Sequence, residues 1–365
     1  MTTFTHKRVL ILFTGGTVAG NVAKSYVSQE VKSRGDDFSA ILEDSVEIIK
    51  KNWNTEISAT VVELFNVDSS NMQPENWTAL VEKIHETYDD YDSFIILHGT
   101  NTMGYTAAAL SFAFENINKP VILTGAQVPL GFLGSDSTTN LVNALRLAVW
   151  GYHEVKGVIA VFGSKIISGS RVKKGTDFDY DPFKSFQTGT LGEIGRFMRI
   201  NAKAMSAHVS YLSRKKPLAI QSRVLSVKKD FRTQNMASLT EFPGMSAHLF
   251  QSLVENNGIE AFILRAFGAG DPSAHLFPAF EYLRDKQIPI VVTTQAPNGL
   301  ANFEVNETGQ YLKMNELAIP AYDMSIESIT TKLGWLLAQD RNADQIRNIM
   351  LEDLHGEINV ENELI

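Results

Sequence analysis

The chain has 365 residues, 44% of them hydrophobic, and a formal charge of -8 from 33 basic and 41 acidic side chains. This length is enough for two domains or one large one with an ample core, and the acidic balance argues against a nucleic-acid partner, which needs a basic face. No cysteine is present, which excludes disulfides, thiolate catalysis and cysteine-ligated zinc.

From the N-terminus, Met1 to Arg8 is polar, and the apolar run after it is soon broken by Gly15-Gly16. No signal peptide is expected there, and no apolar stretch reaches membrane-spanning length. A cytoplasmic protein is the expectation. Strands are predicted at 8–13, 57–65, 93–98, 119–124 and 156–162, alternating with helices near 38–51, 74–88, 103–116 and 137–151. Such alternation means βαβ units and a parallel sheet. Pro74 with Glu75 reads as a first helical turn. Residues 164–232 are rich in Lys, Arg, Ser and Asp with little period, and read as a long loop region with hairpins and then a linker. Arg214-Lys215-Lys216-Pro217 in it reads as a solvated connector. A second α/β pattern follows, with strands at 237–241, 260–265 and 288–293 and helices near 246–256, 275–286, 325–338 and 342–351. The expected organisation is α/β throughout: a larger N-terminal parallel-sheet domain (1–205), a linker (206–234) and a smaller C-terminal α/β domain (235–365).

Two threonines stand on glycine-containing turns after buried strands: Thr17 after Thr14-Gly15-Gly16, and Thr100 in His98-Gly99-Thr100-Asn101-Thr102-Met103. Ligands of open parallel sheets bind at the carboxyl ends of strands. Two hydroxyls there could share one ligand, one attacking and the other relaying a proton. The structural alternatives are a capping role for Thr17 and for Thr102. Four polar side chains at one buried strand end would be costly without partners, which favours a site. Asp68-Ser69-Ser70-Asn71-Met72 suits either a carboxylate or the N-cap of the helix at Pro74. Lys173-Lys174 could be solvated loop lysines, or one could be a proton relay with a pKa lowered by burial. No GxxxxGK[ST] motif is present, and Gly268-Ala269-Gly270 lacks the third glycine of a dinucleotide fingerprint. The eight histidines show no metal-site spacing.

Read jointly, these segments resemble the bacterial L-asparaginase family, most closely its cytoplasmic type I branch. The likeness includes Thr14-Gly15-Gly16-Thr17, Asp68-Ser69-Ser70 and His98 to Met103. It continues through Thr124-Gly125-Ala126-Gln127, Ser135-Asp136 with Asn140-Leu141, Phe242-Pro243-Gly244 and Leu264-Arg265. The resemblance implies hydrolysis of L-asparagine to L-aspartate and ammonia, without metal or cofactor, in a homodimer or homotetramer. By the same resemblance Thr17 is the nucleophile that forms an acyl-enzyme, supported by Tyr26. Thr100 is the second threonine, and Lys174 fits its lysine partner by distance from Arg171 and Phe183. Ser69 and Ser70 hold the substrate carboxylate, Asp68 and Ala126 complete the substrate-binding set, and backbone N–H groups near Thr100 could form an oxyanion hole.

Three positions depart from the family pattern. Asn101 stands where the family has an aspartate that faces the substrate ammonium group and the lysine. Losing that charge would cost about 1–2 kcal/mol, a factor of roughly 5–30, and would lower the pKa of Lys174. Asn71 also replaces a common aspartate, and Ala296 stands where some type I members carry an effector-site cysteine, which puts allosteric control in doubt. Two other readings stay open: an amidohydrolase acting on a different small amide, and a non-catalytic amino-acid-binding sensor.

Overall fold

The computed structural model describes residues 6–15, 34–53, 55–150, 155–211 and 225–360. The chain divides into two compact units, Met1–Lys229 and Asp230–Ile365. The division falls inside the segment 206–234.

The first unit is built on an eight-stranded sheet. Strand β1 (His6–Phe13) pairs in parallel with β2 (Glu56–Glu63) on one side and β3 (Ser93–Leu97) on the other. Beyond β3 lie β4 (Pro120–Thr124) and β5 (Gly157–Phe162), also parallel. The parallel part therefore runs β2-β1-β3-β4-β5, the flavodoxin-like order, which changes direction between β1 and β3. Every residue of β3 and β5 is buried. Uninterrupted apolar strands of this kind need cover on both faces. Side chains alternate along a strand, so Val9, Ile11, Ile95, Leu97, Ile122, Ile159 and Val161 share one face. They pack there with α1 (Arg34–Trp53) and α4 (Ser137–Val149) through Leu42, Val46, Leu141 and Leu145. Helices α2 (Pro74–Glu86) and α3 (Met103–Ala113) pack against each other, and α3 also packs against β5. Each fully buried Leu, Ile, Val or Phe contributes roughly 1.5–3 kcal/mol.

The region read as loop is more ordered than its sequence shows. Strand β6 (Lys165–Ser168) folds back antiparallel on β5. A small hairpin, β7 (Val172–Lys174) with β8 (Phe183–Ser185), stands apart as its own two-stranded sheet. Strands β9 (Gly192–Ile194) and β10 (Met198–Ile200) then complete the main sheet, and α5 (Ala202–Tyr211) follows. Strands of three or four residues are too short to carry a period, so pairing partners supplied by the fold decide them. Arg214 to Pro217 lies outside the described residues. Where the chain is next described it returns to the same unit: Val227 bridges Phe114, and Lys228 N–H donates to Ala113 O at 2.9 Å.

The second unit carries four parallel strands, β11 (Met236–Thr240), β12 (Ala261–Ala266), β13 (Ile290–Thr294) and the short β14 (Ile319–Pro320). Helices α6 (His248–Asn257), α7 (Phe277–Asp285), α9 (Ile326–Leu337) and α10 (Ala343–Met350) match the predicted ones closely. Helix α8 (Glu307–Met314) and β14 have no counterpart in the sequence prediction. The core includes Phe250, Phe262, Phe280, Phe303 and Leu312. On α9 the fully buried Lys332 meets the fully buried Glu357 at 2.6 Å.

Candidate active site

Strand β1 leads into a turn pinned from two sides. Thr14 donates both its N–H and its hydroxyl to Leu97 O, at 3.2 and 2.9 Å, and its carbonyl accepts from Val67 N–H at 3.1 Å. Gly15 has φ of +100°, and a Cβ there would lie 2.3 Å from Val67 O. Only glycine takes that conformation in that space. Thr17 comes two residues later and lies outside the described residues, as does Tyr26.

Strand β3 brings up the other threonine. His98 follows it directly and is fully buried. Its Nδ1 bonds Gly99 O at 2.6 Å and its Nε2 bonds Thr106 Oγ1 at 2.9 Å, while Trp77 Nε1–H donates to Thr106 Oγ1 at 3.1 Å. An imidazole that donates at one nitrogen and accepts at the other is neutral, and burial lowers its pKa to about 4. His98 thus braces the strand end from behind and takes no part in the site. The buried Thr100 and the exposed Asn101 come next.

The loop after β2 supplies the serines. Ser69–Asn71 forms a 3-10 turn capped by Asp68, whose Oδ1 accepts from Ser70 N–H at 2.8 Å. This cap closes the 3-10 turn itself, whereas the residue that precedes α2 is Gln73. The 99–102 segment clasps the turn. Asn101 N–H donates to Ser69 Oγ at 3.2 Å, Asn101 Nδ2 to Ser70 Oγ at 2.9 Å, and Thr102 Oγ1 to Ser69 O at 2.7 Å. Thr102 stands at the N-cap position of α3, but its hydroxyl makes no capping bond; it is engaged by Ser69. Gly99 permits the close approach, since a Cβ there would lie 2.6 Å from Ser69 Oγ.

Strand β7 delivers the lysine. Lys174 Nζ donates to Thr100 Oγ1 at 2.8 Å and to Asn101 Oδ1 at 3.0 Å. Burial lowers its pKa, and the charge of Asp177 opposes that shift. Its neighbour Lys173 faces the other way, 5.2 Å from the centre of the Phe186 ring, as alternation along a strand requires.

Three further residues, to which sequence reasoning assigns no role, organise this corner. Asp136 accepts from Gln127 N–H at 3.0 Å, Val128 N–H at 2.9 Å and Asn140 Nδ2 at 2.9 Å. Asn140 Nδ2 also reaches Gly125 O at 2.9 Å. These bonds shape the turn that holds the buried Ala126. Gln127 Nε2 then donates to Asp177 O and Asp179 O, at 3.1 and 3.2 Å, which ties down the loop after Lys174. The available sequence signal is an Asp and an Asn one helical turn apart at the start of α4.

Thr100, Asn101, Ser69, Ser70 and Lys174 are thus joined by direct hydrogen bonds at the carboxyl end of β3, beside the point where strand order reverses. Asp68 adjoins them through Ser70, and Ala126 lies on the turn after the adjacent β4. A lysine amine on a threonine hydroxyl can move a proton, and two serine hydroxyls side by side can hold an anion. Among the described residues no group of three or more His, Cys, Asp or Glu side chains is placed to hold a metal ion. None of the helices described is long and apolar enough to cross a membrane.

A sheet of this order with a lysine–threonine pair at its switch point places a candidate reactive centre where open α/β sheets bind their ligands. The chain belongs to the asparaginase family: residues 8–206 match "Asparaginase, N-terminal" and residues 235–350 match "Glutaminase/Asparaginase C-terminal domain". It is 36% identical over 298 residues to L-asparaginase 1 of Escherichia coli, covering 80% of this chain and 82% of that one. One component of the glutamyl-tRNA(Gln) amidotransferase of Aeropyrum pernix is 30% identical over 363 residues, 96% of this chain and 79% of the relative. Among solved structures, the thermostable L-asparaginase from Thermococcus kodakarensis superposes with a TM-score of 0.79 at 28% identity, covering 96% of this chain and 99% of that one.

Proposed function

We propose that this protein hydrolyses the side-chain amide of L-asparagine to L-aspartate and ammonia through a threonine-bound acyl intermediate. The observation that carries this is the 2.8 Å bond between Lys174 Nζ and Thr100 Oγ1 at the switch point of the sheet. Thr17 Oγ, supported by Tyr26, attacks the amide carbon. The C–N bond breaks, the nitrogen takes up the proton that the Thr17 hydroxyl gave up, and ammonia leaves. Water, deprotonated through Thr100 and neutral Lys174, then attacks the ester carbon and returns the proton to Thr17 as the acid departs. Ser69 and Ser70 hold the substrate carboxylate, Asn101 orients both serines and the lysine, and Asp68 and Ala126 border the bound substrate. The cytoplasm and a homodimer or homotetramer are the setting we propose.

Relatives carry both asparaginase and amidotransferase names, so free asparagine as substrate is the finer claim. The relative of higher identity, named an asparaginase, supports it. Ammonia release from L-asparagine should be abolished by Thr17→Ala and reduced by about 10²–10⁴ in Thr100→Ala and Lys174→Met. Release that persists undiminished in Thr17→Ala would overturn the assignment of the nucleophile. No release from the parent chain would overturn the substrate.

A further inference from the structure

Asn101 donates twice, through its backbone N–H to Ser69 Oγ and through Nδ2 to Ser70 Oγ. Lys174 dictates how its amide is turned. The lysine amine donates to the amide oxygen at 3.0 Å, so Oδ1 faces Lys174 and Nδ2 faces Ser70. A hydroxyl carries one proton and two lone pairs. Asn101 takes one lone pair of each serine, and neither serine proton has an acceptor among the described residues. Both O–H groups of this one 3-10 turn are therefore available to donate, a fitting pair for a carboxylate.

A cationic group finds less among the described residues. Asn101 Oδ1 already accepts from Lys174, and Asp68 Oδ1 from Ser70 N–H. The carboxylate that adjoins the serines is Asp68, an exposed side chain. The amide of Asn101 carries no charge to hold an ammonium.

Resting on the amidohydrolase reading, we infer that Asn101 makes this site select its substrate by the carboxylate and not by an α-ammonium group. Monoamides of small dicarboxylic acids are then substrates alongside the amino-acid amide. The test is kcat/KM for ammonia release from L-asparagine, from succinamate (the same skeleton without the amino group) and from 3-aminopropanamide (the amino group without the carboxylate).

In the parent chain succinamate should come within about tenfold of L-asparagine, and 3-aminopropanamide should fall about a hundredfold below both. Asn101→Asp supplies an anion and takes the Ser70 proton for itself. It should raise the asparagine-to-succinamate ratio by about tenfold. A parent preference for L-asparagine beyond tenfold, or a ratio unmoved by Asn101→Asp, overturns the inference. Calorimetric titration of the parent with succinate and with L-aspartate separates this from the amidohydrolase reading. Should no amide release ammonia, that reading falls, yet affinities for the two acids within tenfold still uphold selection by the carboxylate. A larger preference for L-aspartate overturns it.

Discussion

At the scale of single residues the proposed chemistry turns on Lys174. Its amine must be neutral to accept a proton from Thr100, and burial favours the neutral form. The rate should therefore rise with pH and level off below the usual lysine range near 10.4. Lys174→Arg tests this directly, because a guanidinium keeps the charge and cannot be deprotonated. It should bind succinate about as the parent does but lose about 10²–10³ in kcat across the whole pH profile. An arginine variant with a parent-like pH–rate profile would show that no proton passes through this position. Lys174 is legible in the sequence only through family spacing. Charge and hydropathy do not distinguish it from Lys173, and the alternation of one short strand sends them to opposite sides.

At the scale of elements the site is a clasp between two turns. The 3-10 turn Ser69–Asn71 and the segment after β3 approach so closely that Gly99 has no room for a methyl group. Gly99→Ala must push Ser69 aside and loosen the Asn101 bonds. Its KM for a carboxylate substrate should rise about tenfold, with an overpacking cost of about 1–3 kcal/mol in urea unfolding. A stable variant with unchanged KM would separate the clasp from substrate binding. The long strands and helices are readable because their hydrophobic periods extend over many residues. Strands β6 to β10 and helix α8 are not, since their short runs acquire meaning only beside the partners that pair with them. His98 shows the opposite failure. Its place in a polar cluster points to the site, whereas Thr106, eight residues on and itself bonded by Trp77, satisfies it inside the core.

At the scale of the whole molecule the two units should respond to acid in different windows. In the first, burial holds His98 and His208 to a pKa of about 4. The unfolded chain takes up their protons near 6.5, so the unfolded state binds more protons between those values. Stability is full above pH 6.5 and falls as pH drops toward about 4, by about 3 kcal/mol per imidazole. In the second unit burial pushes the Glu357 carboxyl up, but Lys332, His355 and their hydrogen bonds pull it further down, to about 2. Its contribution is present above 4.5 and is lost as pH falls through about 2. Urea unfolding from pH 7 to 3 should show the first loss well before the second. Glu357→Gln, which strands the Lys332 ammonium, should cost about 3–5 kcal/mol at pH 7. A pH-independent unfolding midpoint between 7 and 4.5 would contradict the buried neutral histidines.

The α/β class and the two-part organisation were set by sequence alone. Those features rest on local composition: apolar runs, helical periods and glycine turns written along a few consecutive positions. Tertiary structure was needed to decide which hydroxyl meets which amine, which lysine turns inward, and which way the Asn101 amide faces. Those outcomes depend on contacts between residues 31 to 74 positions apart. A hydrogen bond is settled by tenths of an ångström and by the direction of a proton, and no local pattern encodes either.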